Sequence, residues 1–322
     1  MDSNKKNNLD DTLKIKKLKK LQNEELFNLL QHKGMEDIGM TDDTKRRIDD
    51  CGSFLEFIGD IKSEKHRLVN ANFCKNRFCP HCSYNKARKD AYETMIISKY
   101  IESLGYKFIF LTLTSPNVPA AELEDELKDF SESFKRLTEL KKIKKINKGY
   151  LRKLEITYNA DRDDYHPHYH VMIAVNKSYF TDSNYYISQA EWLEYWKKAK
   201  RDESITQVDV RKYRSNDKGI FEITKYIAKD SNYLHSEEVF KTFYRALKGK
   251  RMYSYNKIFK TARTKLKNGE LDHLRDVDST EYFYKVWFVW NQQKYENISN
   301  QFLTLDELKK YNTKYKKDID IE

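Results

Sequence analysis

The stretch HPHYHVMIAV, residues 166–175, places His166, His168 and His170 together and runs directly into apolar residues. In an extended strand successive side chains point to opposite faces. Tyr169, Val171, Ile173 and Val175 then share one apolar face, while His168 and His170 point together to the other. Pro167 predicts a bend that leaves His166 in the preceding loop. The same sorting applies to YLRKLEITYN (150–159), with Leu154, Ile156 and Tyr158 on one side and Lys153, Glu155 and Thr157 on the other. In FIFLTLT (108–114), Ile109, Leu111 and Leu113 separate from Thr112 and Thr114. Each strand thus predicts one core face and one face carrying polar chemistry. Two imidazoles side by side, with a carboxylate from the next strand, suit a divalent cation that keeps positions open for substrate oxygen. Glu155 has the facing required of the third ligand, although the same pattern also fits two surface histidines.

Around this strand, hydrophobic periodicity predicts helices over 86–106, 120–140 and 188–200, and from near Gly219 through FEITKYIAKDSNY. It predicts further strands over 108–114, 150–159 and 205–213, with the polar DRDD link closing a hairpin before the histidines. Strands outnumber what a bundle needs, so the expected class is α+β, a central antiparallel sheet flanked by helices. Residues 1–45 are polar and lysine-rich and read as a basic arm, flexible or helical. Residues 46–106 hold every cysteine, 107–235 the sheet, and 236–322 an extension with a helix near EEVFKTFYRALKGK and a strand-like EYFYKVWFVW (281–290).

A chain of 322 residues is long enough for two domains or for one with additions. Its net charge of +11 is clumped in KIKKLKK (14–20) and KKIKKINKGYLRK (141–153). Such clumps favour a polyanionic partner and would bind phosphates without reading sequence, though a solvated lysine face gives the same pattern. The sequence has no apolar run of about 18 residues. Its first residues carry charge where a signal peptide needs apolar ones, so a soluble cytoplasmic protein with no membrane partner is expected.

The four cysteines, Cys51, Cys74, Cys79 and Cys82, point in that setting to a metal or to reduced buried thiols rather than to disulfides. Four thiolates satisfy tetrahedral zinc, and Cys79-Pro-His-Cys82 has the two-residue spacing of structural sites. Cys51 lies well upstream, so His66 and His81 are alternative fourth ligands. In FEITKYIAK (221–229), helical spacing puts Glu222, Tyr226 and Lys229 on one face. A tyrosine hydroxyl, with a pKa of about 10, becomes a nucleophile when a base, metal or cation offsets that pKa. Otherwise the helix is simply amphipathic.

FLTLT, HPHYH and EITKYIAK, in that order, resemble the three motifs of the rolling-circle replication initiators of small Gram-positive plasmids, a family of HUH endonucleases. CKNRFCPHC (74–82), with Cys51 upstream, resembles the element preceding those motifs, and the resemblance covers roughly residues 45–235. It implies an HUH fold over 107–235 behind a zinc-binding module, and a metal-dependent, site-specific single-strand endonuclease and strand transferase. His168 and His170 match the histidines that hold Mg or Mn, and Tyr226 matches the nucleophile that leaves a 5′-phosphotyrosine and a 3′-hydroxyl primer. Glu222 corresponds to a general base for water in the terminating cleavage, while Tyr233, two turns after Tyr226, leaves a two-tyrosine mechanism open. Lys229 would neutralise phosphate or phenolate charge.

The implied partners are plasmid origin DNA, single-stranded or extruded as a hairpin, together with a host helicase and the replication machinery. The segment 236–322 is open between completing the sheet, binding a second copy as a homodimer, and contacting the helicase. Two other readings stand beside this one. A single-strand transposase or relaxase shares the chemistry, and a non-catalytic zinc-dependent DNA-binding regulator would keep its binding without His168, His170 and Tyr226.

Overall fold

Antiparallel pairing builds two separate sheets in the computed structural model, which describes residues 9–62, 64–213 and 232–313. The chain divides into two units, one of residues 1–89, 227–237 and 275–322, the other of 90–226 and 238–274. The class is α+β, as expected, but the expected single central sheet is one of two.

The histidine strand belongs to the second unit. Its sheet has the order β6-β3-β5-β4-β7, formed by β3 (Lys107–Thr114), β4 (Gly149–Asn159), β5 (Asp164–Val175), β6 (Val208–Tyr213) and β7 (Tyr253–Tyr255). The β4–β5 hairpin closes with Asn159 opposite Asp164. Asn159 Oδ1 accepts the backbone N–H groups of Asp161 and Arg162, which is turn chemistry typical of Asn.

Both faces of β5 are covered. On one, Phe108, Phe110, Leu151, Met172 and Ala174 pack with Ile96, Ile97 and Ile101 of α3 (Pro80–Ser103) and with Phe259, Ala262 and Leu266 of α8 (Ile258–Lys267). On the other, the Tyr169 ring meets Phe130 at 4.6 Å and Phe134 at 5.6 Å, both from α4 (Leu123–Glu139). Trp196 of α6 (Gln189–Lys200) stands edge-on to Phe130 at 5.3 Å. The face expected to carry polar chemistry does so over only part of its length. Met172 and Ala174 share the histidine face, and only its far end carries polar groups. Burial on both sides is what the unbroken apolar run VMIAV signals.

Local sequence explains the covering helices. Leu123, Leu127, Phe130, Phe134 and Leu137 recur at helical spacing and are all buried. Ser188 and Glu191 form a reciprocal capping box at the start of α6. The short α5 (Lys141–Ile146) carries part of the second basic run, where Lys142 pairs with Glu191 and Lys144 with Glu139, each at 2.7 Å.

In the first unit β1 (Phe54–Gly59), β2 (His66–Ala71), β8 (Tyr284–Asn291) and β9 (Lys294–Phe302) make a sheet of order β2-β1-β8-β9. Leu55, Phe57, Val286 and Phe288 form its core. The aromatic strand near 281–290 thus completes this sheet by pairing with β1 and does not join the histidine sheet. Helices α1 (Leu9–Leu30) and α2 (Asp42–Asp50), with the start of α3, complete the unit. No helix among the described residues is long and apolar enough to cross a membrane.

Candidate metal centres

Strand register brings Glu155, His168 and His170 together. Glu155 lies directly opposite His168 across the β4–β5 ladder, and Thr112 of β3 lies opposite His170. His170 Nε2 is 3.0 Å and His168 Nε2 3.4 Å from the same carboxylate oxygen, Glu155 Oε2. On their outer sides, His170 Nδ1 lies 3.4 Å from Thr112 Oγ1 and His168 Nδ1 3.3 Å from the His166 carbonyl oxygen. An Nδ1–H donated to these oxygens would fix the tautomer that turns an Nε2 lone pair toward a bound ion, in exchange for the Nε2–H contact with Glu155. Phe110 stacks on the His170 ring at 5.8 Å.

Burial disfavours a charged imidazole and lowers His170, although Glu155 opposes this, so the ring is held neutral as a ligand must be. Burial alone would raise the Glu155 carboxyl. Hydrogen bonds with His168 and His170 outweigh it and hold the group at about 2, fully ionised. The second carboxylate oxygen, Oε1, is buried without a hydrogen-bond partner among the described residues. Such an orphan acceptor is costly unless something electropositive reaches it. Two imidazoles and one carboxylate, with ligand atoms within 4.8 Å of one another, are able to hold a divalent ion and leave coordination positions over.

His166 corrects the sequence expectation, because it lies within β5, paired with Thr157, rather than in a loop. The proline does not break the strand. Tyr165, on the same side of the ladder as Pro167, exchanges backbone bonds with Val118, while pairing to β3 ends at Thr114 opposite His168. Pro167 occupies the gap, where no N–H is required. Tyr226, Glu222 and Lys229 lie outside the described residues. Tyr233 is in the first unit, where its hydroxyl donates to the Phe78 carbonyl at 2.9 Å and its ring stands edge-on to Phe78. Sequence reading passed over Thr112 as an orienting group. Its signal was its place on the polar side of FIFLTLT.

The sulfur group assembles in the first unit from the end of α2, the loop before α3 and the first turn of α3. Cys51 Sγ lies 3.5 Å from both Cys79 and Cys82, and Cys74 Sγ 3.7 Å from Cys82. Zinc–sulfur bonds of ~2.3 Å at tetrahedral angles place sulfurs ~3.8 Å apart, so these four fit a tetrathiolate ion. Backbone N–H groups of Cys74, Lys75 and Cys82 point at the sulfurs of Cys51, Cys82 and Cys79. Packed this closely, the thiols do not ionise independently. Hydrogen bonds led by that from Cys51 hold Cys74 far below the usual thiol range, Cys51 rises through its bond to Cys74, and burial raises Cys79. As a thiol, Cys79 donates to Asn23 Oδ1 at 3.1 Å, a bond given up on deprotonation.

Of the proposed fourth ligands, Cys51 is the one gathered with the other sulfurs. His66 instead bonds the Tyr284 hydroxyl at 2.7 Å. His81 is fully buried, its ring nitrogens without a hydrogen-bond partner among the described residues, and its ring lies tilted against Phe73 at 5.2 Å. Gly52, at φ +76, keeps this packing open, because a Cβ there would lie 3.0 Å from the His81 ring.

The first basic run is not a uniform phosphate-binding face. Lys16 and Lys20 on α1 are 2% and 3% exposed, and Lys20 Nζ donates to the Asp49 carbonyl. Burial first, then the charge of Arg88, lowers Lys16 to about 7, while Cys51 and Cys82 act in the opposite direction.

Comparison with known proteins adds an independent line. Residues 65–298 match a family described as Replication protein. The chain is 54% identical over 189 residues to a Protein rep of Staphylococcus aureus, spanning 58% of this chain and 82% of that relative. It is 34% identical over 272 residues to a Protein rep of Streptococcus pneumoniae, spanning 80% and 85%. A Protein rep of Lactiplantibacillus plantarum is 34% identical over 255 residues, spanning 72% and 79%. No solved structure matches the chain.

Proposed function

This chain belongs to the Replication protein family, and from that premise we propose that it initiates rolling-circle replication of a plasmid by nicking and rejoining one strand at the origin. In this reading the phenolate oxygen of Tyr226 attacks the scissile phosphorus. The P–O3′ bond breaks, the 3′ oxygen takes up a proton, and the 5′ side stays on the enzyme as a phosphotyrosine. The free 3′-hydroxyl primes a polymerase. Attack of a 3′-hydroxyl on the phosphotyrosine reverses the chemistry, so joining needs no ATP.

The observation that carries the proposal is the Glu155, His168 and His170 group with its orphaned Oε1. When bound there, Mg or Mn would polarise the scissile phosphate and offset charge developing on it. Two nitrogens and one oxygen suit Mn better than Mg. Thr112 and the His166 carbonyl keep the two rings aimed inward. Glu222 serves as base for water in the terminating cleavage and Lys229 offsets phosphate charge. The four cysteines hold a structural zinc ion. Origin DNA, single-stranded or extruded, is the substrate, with a host helicase and a second copy of the chain as further partners.

Covalent trapping tests this. Single-stranded fragments tiling both strands of the gene's own replicon are incubated with protein and Mn, beside Tyr226→Phe and a double His168→Ala, His170→Ala variant. The expected result is a denaturant-resistant adduct on one fragment, absent from both variants. Binding to every fragment with no adduct overturns the reading in favour of a non-catalytic DNA-binding regulator.

A further inference from the structure

Helix α1 buries the wrong residues for an amphipathic helix. Lys16, Lys20 and Asn23 are 3% exposed or less, whereas Leu18 on the opposite side is 62% exposed. Leu26 and Leu30 extend the buried stripe, so the inversion is confined to the N-terminal half of the helix. An ammonium buried in preference to leucine calls for acceptors or an anion near it to offset its lost hydration.

Among the described residues no carboxylate supplies a counter-charge to Lys16. Among the described residues its Nζ donates to the neutral Asn85 Oδ1 at 2.5 Å and lies over the rings of Phe73 and Tyr84, at 5.3 Å and 5.7 Å. Asn85 stands on α3, three residues after Cys82. The same face of α1 is tied to the other cysteine-bearing segment, since Asn23 Nδ2 donates to the carbonyls of Cys51 and Ile48 at 3.3 Å and 3.2 Å. The electrostatic partners that favour a charged Lys16 are Cys51 and Cys82. Four thiolates around a dication carry a net charge of −2, which in a buried site must be balanced by nearby cations or N–H groups.

We propose that Lys16 is the counter-charge of the four-cysteine centre, a positioning residue through which the inner face of α1 sets the affinity of that centre for its metal. The proposal rests on reading the four cysteines as a metal site. Lys20, bonded to the Asp49 carbonyl, adds to the same positive field from one turn further along. In this arrangement metal loading and the seating of α1 are coupled, because loss of the dianion leaves a buried cation unbalanced.

The experiment uses the full chain loaded with Zn²⁺. Zinc per chain is measured first in the unaltered protein and in Cys82→Ser. A full equivalent that disappears in Cys82→Ser establishes the site, and no zinc in the unaltered protein removes the premise separately from the proposal. Competition with a chromophoric chelator then compares Lys16→Met, Lys16→Gln and Lys16→Arg with the exposed control Lys17→Met. Lys16→Met and Lys16→Gln are expected to lose zinc at ~10–100-fold lower chelator concentration, with Lys16→Arg near the unaltered value and Lys17→Met unchanged. Lys16→Gln keeps a partner for Asn85, so it reads the charge alone if Lys16→Met folds poorly. Equal zinc retention in Lys16→Gln and the unaltered chain overturns the proposal.

Discussion

The sulfur group of the first unit and the imidazole-carboxylate group of the second are both buried sets of metal donors, but they differ in completeness. Four sulfurs within 4.8 Å of one another supply all the ligands of a tetrahedral ion, which would leave no position for substrate. Glu155, His168 and His170 supply three donors and leave the rest of a coordination sphere open. Their supports differ in the same sense. The sulfurs come from a helix end, a loop and a helix start, which no strand ladder among the described residues holds together. The triad comes from adjacent central strands whose register is fixed by burial on both faces. One group therefore suits holding a fold together, and the other suits doing chemistry on a fold that stands without it.

The strongest way to break this contrast is to remove one donor from each. Cys82→Ser is expected to strip the first group of its metal and with it most of the ~10–16 kcal/mol that such a site contributes to folding, seen as loss of bound zinc and of the cooperative melt of the first unit. The double His168→Ala, His170→Ala change is expected to abolish the DNA adduct while lowering stability by about 3–5 kcal/mol, because it leaves the buried Glu155 carboxylate unpaired, with the second unit still melting cooperatively. If Cys82→Ser melts like the unaltered chain, or the double histidine change unfolds the protein, the assignment of structural and chemical roles is reversed.

The two groups were unequally legible in the sequence. His168, His170 and Glu155 could be placed on one face because strand alternation is a local rule and 108–114, 150–159 and 168–175 obey it. Their strands appear as expected, as do the helices over 120–140 and 188–200, which carry clear periodicity and a capping box. The first unit was less readable. Its sheet pairs β1 with β8, more than two hundred residues downstream, and no local pattern encodes such a partner. Helix α3 begins at Pro80, earlier than periodicity suggested, because proline suits a first helical turn. The inward face of α1 was hidden for a different reason. From sequence, KIKKLKK reads as a solvated basic run, and only the fold shows that Lys16 and Lys20 are buried.

A smaller effect sharpens the contrast from the side of the second unit, whose stability is expected to owe nothing to metal. Lys200 of α6, with a side chain 6% exposed, bonds Asp129 at 2.6 Å and Glu126 at 2.9 Å on α4. Burial would raise Asp129, but hydrogen bonds from Lys200 and Arg136 outweigh it and lower its pKa. Burial would lower Lys200, yet its two carboxylates raise it. Both shifts stabilise the folded state over a defined window. The Asp129 contribution is complete above the ordinary aspartate value of ~3.9 and is lost as pH falls through its lower folded value. The Lys200 contribution is complete below ~10.4 and is lost as pH rises through its higher folded value. Asp129 is 42% exposed, so solvent screening discounts the pair. Lys200→Met should cost about 1–2 kcal/mol at neutral pH, and the cost should shrink toward both ends of the window. Thermal melts of both chains across pH, at fixed metal loading, check this, and a Lys200→Met cost that does not change with pH would contradict the ion-pair account.

The least disruptive change probes how the open side of the triad arises. Pairing between β3 and β5 stops at Thr114 opposite His168, and the backbone does not meet β5 again until Val118 bonds Tyr165. Pro167 sits in that interval, where a missing N–H costs nothing. Because its ring limits the unfolded chain, Pro167→Ala is expected to destabilise the protein by only ~0.4–1 kcal/mol. The variant also restores an N–H on the side vacated by β3, yet no strand is there to receive it, so the loss should not be recovered through a new ladder bond. Adduct formation should persist in the same measurement, since His168 and His170 keep their pairing with Glu155 and Thr112. A cost of several kcal/mol, or loss of the adduct, would mean that the proline itself fixes the aim of the histidines, and that the rigidity of the open site comes from HPHYH rather than from the register of the strands around it.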